Sequence, residues 1–225
     1  MILLIKKGET MKILIAQPVH EKKLIQLEKE IKENPSTDVI LFPEGYLACF
    51  ENIEEACKLA KTYGKTIITS YKNKNNKDRA IIISKTGKII LDRAKTSNDE
   101  SLYWPSKVEG DGMQIGYILC VEILKGLEGL KKSETEVDFI AHPIGVGMFS
   151  EEQFNEWINE AKEIAIDQKT MIIGTSHADG SYRNCGVSIP IAYCIDKNGE
   201  AIFIAKNDLR TRVVNTETKE TVVIR

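Results

Sequence analysis

Asp38-Val39-Ile40-Leu41-Phe42-Pro43-Glu44 is the stretch whose pattern fixes the fold class. Val39 to Phe42 are apolar without a polar alternation, which reads as a strand buried on both faces, as in a parallel sheet covered by helices. Pro43 cannot donate to a sheet ladder, so the strand stops there. Glu44 is delivered at its carboxyl edge, where open α/β sheets hold their ligands. Outward from this run the chain alternates in type. Upstream lie a strand at Ile13–Ala16 and a helix at Lys22–Glu33; downstream lie a helix at Ile53–Tyr63 and strands at Thr66–Ser70, Arg79–Ser84 and Ile89–Arg93. Strands separated by amphipathic helices mean an α/β sheet.

In the first long helix Ile53, Ala56, Cys57, Ala60 and Tyr63 share a stripe, Glu54 and Glu55 occupy the first turn, and Gly64 stops it. Cys57 therefore reads as core. The second half repeats the theme with strands at Gly116–Cys120, Phe139–His142, Met171–Thr175, Val187–Ile195 and Ala201–Ala205, and a helix at Glu151–Gln168. That helix carries Phe154, Trp157, Ile158, Ala161, Ile164, Ala165 and Gln168 on one face, and Ser150 with Gln153 forms a capping box. Glycine-bearing polar turns at Lys85–Lys88 and Asp196–Gly199 have hairpin chemistry, so the sheets are mixed. Two similar halves suggest a two-sheet sandwich. The Asn/Lys-rich patch Lys72–Lys77 reads as a solvated loop.

The chain has 225 residues, 42% of them hydrophobic and 28% charged, which suits a single domain over residues 11–225. Residues 1–10 read as a leader outside it, with the native start expected at Met11, because Lys6-Lys7-Gly8-Glu9 is what a purine-rich ribosome-binding stretch encodes; intact mass from the native host checks this. A formal net charge of -2 gives no field drawing the protein to nucleic acid or anionic lipid, and no apolar run approaches the roughly 20 residues of a membrane span. A cytoplasmic protein with no nucleic-acid or membrane partner is expected. Five cysteines at irregular spacings suggest reduced thiols.

Gly64-Lys65-Thr66 leads from helix to strand, the reverse of a phosphate loop, and Gly145-Val146-Gly147 lacks the third glycine of a dinucleotide fingerprint. Ser176, His177 and Asp179 are loop neighbours, whereas serine triads are assembled from distant segments. His20, His142 and His177 are scattered and no C-x-x-C occurs, so neither a metal nor a cofactor is expected. What remains is chemistry at strand ends: Glu44, then Lys95 after Ile89–Ala94, then Cys120 after Gly116–Leu119. A thiol with a free pKa near 8.5 needs a base to take its proton and a cation to favour negative charge, and Glu44 and Lys95 supply both. Taken singly, Glu44 reads equally as a loop carboxylate and Lys95 as a surface lysine like Lys206; taken jointly with Cys120 they read as a site. Cys49 reads as a buried loop thiol, Cys185 and Cys194 as packing, and Trp104 and His142 as neighbours of the site without a catalytic task.

The ordered set Asp38–Leu47, Leu91–Lys95, Glu100-Ser101, Gly116–Glu122, Asp138–Pro143 and Trp157–Gly174 resembles the nitrilase superfamily of carbon–nitrogen hydrolases, over about Met11 to Leu209. The resemblance implies a four-layer α-β-β-α sandwich with two mixed sheets and a Glu-Lys-Cys triad. It implies Glu44 as general base, Cys120 as the nucleophile that forms a thioester with a small amide, and Lys95 with the Val121 backbone N–H as oxyanion donors. Glu100 matches the family's second glutamate, expected to hold Lys95 and orient substrate, and Glu122 keeps the acid that follows the nucleophile. Leu124 stands where many members have an arginine, and the loops after Glu44 and between Glu100 and Cys120 are short. A homodimer through the Cys120–Lys132 and Glu151–Gln168 surface is implied as well, checked by sedimentation. The leading expectation is an amidase, with N-carbamoyl-amide hydrolysis, nitrile hydrolysis, acyl transfer and a degenerate ligand- or partner-binding member as alternatives.

Overall fold

The computed structural model describes residues 10–181 and 185–224; residues 1–9 of the expected leader lie outside them. A seven-stranded sheet contains β1 (Lys12–Ile15), β2 (Val39–Leu41), β3 (Thr66–Lys72), β4 (Asp78–Ile83), β5 (Ile89–Ala94), β12 (Arg212–Asn215) and β13 (Thr221–Val223) in the order β13-β12-β1-β2-β3-β4-β5. A six-stranded sheet contains β6 (Lys107–Gly110), β7 (Met113–Tyr117), β8 (Phe139–Pro143), β9 (Met171–Thr175), β10 (Ile191–Ile195) and β11 (Ala201–Lys206) in the order β11-β10-β9-β8-β7-β6. Both are mixed: β1-β2-β3 and β7-β8-β9 are parallel, and their flanks are antiparallel. The glycine turns close the β4–β5 and β10–β11 hairpins as their chemistry requires.

Alternation along the strands sorts the core into layers. Ile13, Ile15, Val39 and Leu41 of the first sheet meet Ile115, Tyr117, Phe139 and Ala141 of the second in one buried cluster. The intervening residues Leu14, Ile40 and Ile67 face outward onto Leu27 and Ile31 of α1 (Ile25–Glu33) and Ile53, Ala56 and Ala60 of α2 (Glu51–Tyr63). On the opposite side Ile140, Ile172 and Tyr193 pack on α3 (Ile123–Leu130) and on Trp157, Ala161 and Ile164 of α4 (Glu151–Gln168). Both faces of each central strand are thus apolar because each is covered, the period of two being split between two cores. The result is the four-layer α-β-β-α sandwich.

Local differences from the sequence reading have physical causes. Strand β7 ends at Tyr117, and Cys120 opens a 3₁₀ turn (Cys120–Glu122) instead of finishing the strand. The strand expected from Val187 begins only at Ile191; Val187 and Ile189 form isolated bridges, and Pro190 lacks the donor a continuous ladder needs. Strands β6, β12 and β13 and helix α3 escape the sequence reading because they are short and polar or glycine-containing. At the start of α4 Ser150 Oγ accepts from Gln153 N, while the Gln153 side chain accepts from Phe149 N rather than Ser150 N, so only half of the expected capping box forms. Gly64 ends α2 at φ 63°, ψ 42°. Cys194 is buried, Cys57 and Cys49 are half-buried, and Cys185 is exposed, not packed. Among the described residues no helix is long and apolar enough to cross a membrane.

Candidate active site

The carboxyl end of β2, the residue after β5 and the turn after β7 converge on one cleft of about 590 Å³. Lys95 Nζ lies 2.6 Å from Glu44 Oε1, with the two side chains 23% and 8% exposed. Cys120 lines the same cleft as Glu44, Lys95 and Gly145, and all three act on its thiol. The sequence places these groups 51 and 76 residues from Glu44 along the chain, yet strand pairing sets them side by side. Glu44 is fixed at both backbone ends: its N–H donates to Ile144 O at 3.3 Å and its carbonyl lies 3.0 Å from His177 Nε2. A Cβ at Gly145 would come within 2.6 Å of Glu44 Oε2, so a side chain there would displace the carboxylate. Cys120 holds φ 51°, a left-handed conformation a non-glycine residue rarely adopts, which turns its side chain into the cleft at the head of the 3₁₀ turn.

The electrostatics of the three groups are coupled. Burial raises the Glu44 carboxyl above its ordinary range, making it a stronger base than a solvated carboxylate. Burial also pushes the Cys120 thiol up to about 12, so it rests as S–H in the cleft it shares with the Glu44 carboxylate. For Lys95 burial acts downward, but the anionic forms of Cys120 and Glu44 outweigh it and hold the ammonium above its usual value. The resting arrangement is therefore a neutral thiol against a carboxylate–ammonium pair.

Glu122 is oriented away from the cleft. Its carboxylate is buried and takes two bonds from Arg93, at 2.8 and 2.6 Å, one from Thr96 N at 2.6 Å and one from Leu119 N at 2.8 Å. Burial favours its neutral form, but Arg93 and Thr96 outweigh that and lower its pKa. This clasp ties the strand end bearing Lys95 to the turn bearing Cys120, with both carboxylate oxygens of Glu122 engaged by protein groups. Glu100 corrects the sequence reading more sharply: it is exposed, its carbonyl accepts from Lys125 Nζ, and Lys95 bonds Glu44 instead. Val121 lines the cleft. Leu124 is 43% exposed on α3 and does not line it, so the position expected to carry an arginine does not face substrate in this chain. Trp104 is also outside the cleft.

The sequence reading missed Arg93, Asp78, Lys72 and Trp157. Arg93 sits inside a strand where its alternation with Leu91 marks it as inward-facing, a signal that a buried cation needs a partner. Asp78 and Lys72, 2.9 Å apart, line the cleft from the ends of β4 and β3. Ser176, His177 and Asp179 do not form a triad: Ser176 Oγ bonds the His177 carbonyl, and the His177 ring nitrogens face Pro18 O and Glu44 O. His177 stacks on His20 at 3.7 Å, and His20 pairs with Asp179. These three side chains bring one potential metal-ligand atom each within 4.8 Å of one another, though the His177 nitrogens are turned to carbonyls.

Burial drives His142 and His177 down to about 4, so both stay neutral well below the ordinary 6.5. An unfolded imidazole takes its proton near 6.5 and the folded ones do not until about 4, so between those values the unfolded chain binds more protons and stability falls as pH falls. The full swing is about 3 kcal/mol for each. Urea midpoints are expected to drop steeply from pH 6.5 to 4.5, and His177→Gln to flatten that slope while lowering the pH 7 value. A slope unchanged in His177→Gln rules out a buried neutral imidazole there.

No family model matches the sequence, and no curated protein matches it. Solved structures do match by fold. The carbon-nitrogen hydrolase from Helicobacter pylori G27 is 16% identical, with 93% of this chain and 90% of that chain covered at a TM-score of 0.73. Saccharomyces cerevisiae Nit3, a member of branch 10 of the nitrilase superfamily, is 14% identical with the same coverage at 0.71. A glutamine-for-glutamate mutant of the amidase from Nesterenkonia sp. AN1, with the acetamide moiety of fluoroacetamide added covalently at the active site cysteine, is 11% identical with 94% and 92% covered at 0.69. The chain folds as the carbon–nitrogen hydrolases of the nitrilase superfamily do.

Proposed function

We propose that the protein is a thiol amidase that cleaves a small amide to a carboxylic acid and ammonia or an amine. The observation that carries this reading is the junction of a thiol, a raised carboxylate and a lysine ammonium in one cleft. Glu44 takes the Cys120 proton as sulfur attacks the amide carbonyl. Proton uptake removes the charge that held Lys95, freeing the ammonium for the oxyanion at the moment it forms. Val121 N–H is the second donor, each such donor being worth about 3–4 kcal/mol in the transition state. Glu44 returns its proton to the leaving nitrogen as the C–N bond breaks, and a thioester remains. Water then attacks with Glu44 as base, the C–S bond breaks and the thiol is restored. The fold of carbon–nitrogen hydrolases, and a covalently modified cysteine in a like-folded amidase, support the same chemistry.

The test is ammonia release from a panel of small primary amides, coupled to mass spectrometry of acid-quenched protein. Ammonia with an acyl-sized increment on the peptide bearing Cys120 is expected. Increments only on Cys185, the exposed thiol, or none with no ammonia, overturn the reading.

A further inference from the structure

We infer that His142, set by Tyr193, is a positioning residue that polarises the peptide whose N–H receives the oxyanion. His142 Nε2 lies 2.8 Å from the Cys120 carbonyl oxygen, and that carbonyl belongs to the same amide as the N–H of Val121, a residue that lines the cleft. The inference rests on the thiol-amidase reading and adds to it a component on the far side of the cleft wall.

The hydrogen-bond accounting leaves one arrangement. The Cys120 carbonyl can only accept, so Nε2 carries the hydrogen. Nδ1 must then accept, and the Tyr193 hydroxyl, 2.5 Å away, is its donor. Burial keeps both rings neutral, the imidazole by lowering it to about 4 and the phenol by raising it. Neither side chain has measurable exposure. The relay therefore runs one way, Tyr193 to His142 to Cys120, with no solvent path to scramble it.

The sheet is built to permit it. His142 on β8 and Tyr193 on β10 are both register partners of Gly174 on the intervening β9. A Cβ at Gly174 would lie 2.4 Å from the Tyr193 ring, so a glycine is what lets that ring cross the middle strand to the imidazole. Trp157, on the cleft wall, covers the other side with its ring centroid 5.7 Å from that of His142. A hydrogen bond received at a carbonyl shifts electron density along the amide and strengthens its N–H as a donor, by roughly 10–30% per bond. The bond also braces the carbonyl of a residue held at φ 51°. Its benefit is largest when charge appears on the substrate oxygen.

Acylation by p-nitrophenyl acetate forms an oxyanion, whereas alkylation by iodoacetamide does not, so the two reagents separate polarisation from simple scaffolding. His142→Leu is expected to slow single-turnover acylation about tenfold, less than the 10²–10³ of losing a donor outright, with alkylation within about twofold of wild type. His142→Gln, whose amide N–H₂ reaches the same carbonyl, is expected to restore most of the rate, and Gly174→Ala, which displaces Tyr193, to fall between. Independently of turnover, the Val121 amide nitrogen resonance should move upfield in His142→Leu and stay near its place in His142→Gln. Acylation unchanged in His142→Leu, equal losses of acylation and alkylation, or an unmoved Val121 resonance each overturn the inference while leaving the amidase reading in place. A wild-type protein whose Cys120 alkylates but takes no acyl group overturns the amidase reading, and this inference falls with it.

Discussion

Cys120→Ala is expected to lower amide turnover by about a million-fold, the scale seen when a covalent nucleophile is removed, without unfolding the protein. No other thiol can replace it: Cys194 is buried and its thiol is pushed up to about 12, while Cys49, Cys57 and the exposed Cys185 do not line the cleft. The Glu44–Lys95 pair remains, so substrate still binds and KM shifts little compared with kcat. The backbone supplies a second readout. Cys120 sits at φ 51°, where a Cβ costs about 1–2 kcal/mol, and alanine keeps that cost whereas glycine removes it. Cys120→Gly should therefore be as inactive as Cys120→Ala yet melt about 2–4 °C higher. Ammonia release within tenfold of wild type in either variant rules out the nucleophile, and a Cys120→Gly no more stable than Cys120→Ala rules out the strain.

The legible part of this molecule is the part governed by period and local chemistry. Glu151–Gln168 and Met171–Thr175 were readable to the residue because an 18-residue stripe and an uninterrupted apolar run admit one reading. Glu44 and Lys95 are legible as groups just past strand ends, since Pro43 and the apolar runs mark where strands stop, whereas Cys120, read as a strand end, heads the turn after β7. Their partners were not. That Glu122 takes Arg93, and that Glu100 lies exposed outside the cleft lining, depends on how the turn after β7 folds back on the end of β5, which no local pattern encodes. Glu100 lies close to Lys95 in sequence, yet Lys125 draws the segment outward through the carbonyls of Ser97 and Glu100. The His142–Tyr193 contact is hidden for the same reason: it exists only because Gly174 is opposite both residues, a fact of register and not of sequence distance.

Glu122→Ala is expected to destabilise the protein by about 3–5 kcal/mol, the cost of leaving a buried charge without its partner. Arg93 is 4% exposed and cannot reach water, and the Thr96 and Leu119 N–H groups lose their acceptor in the same stroke. A domain of this length loses about 2–4 °C per kcal/mol, so a fall in melting temperature of about 10 °C is expected. Glu122→Gln should recover little, because in either orientation its amide N–H₂ would face Arg93 together with the Thr96 or the Leu119 N–H, donor against donor. The pair and the clasp can be told apart by Arg93→Met with Glu122→Met. Replacing both charges removes the buried ion, so the double variant should be more stable than either single one. It should still turn over poorly, because nothing then bonds Thr96 N beside Lys95 to the turn that carries Cys120, and both must hold within tenths of an ångström for the thiol, the carboxylate and the ammonium to meet. A double variant with recovered stability and full activity would show that the ion pair serves the fold alone; recovered stability with lost kcat shows that the same carboxylate sets the distance between the lysine and the nucleophile.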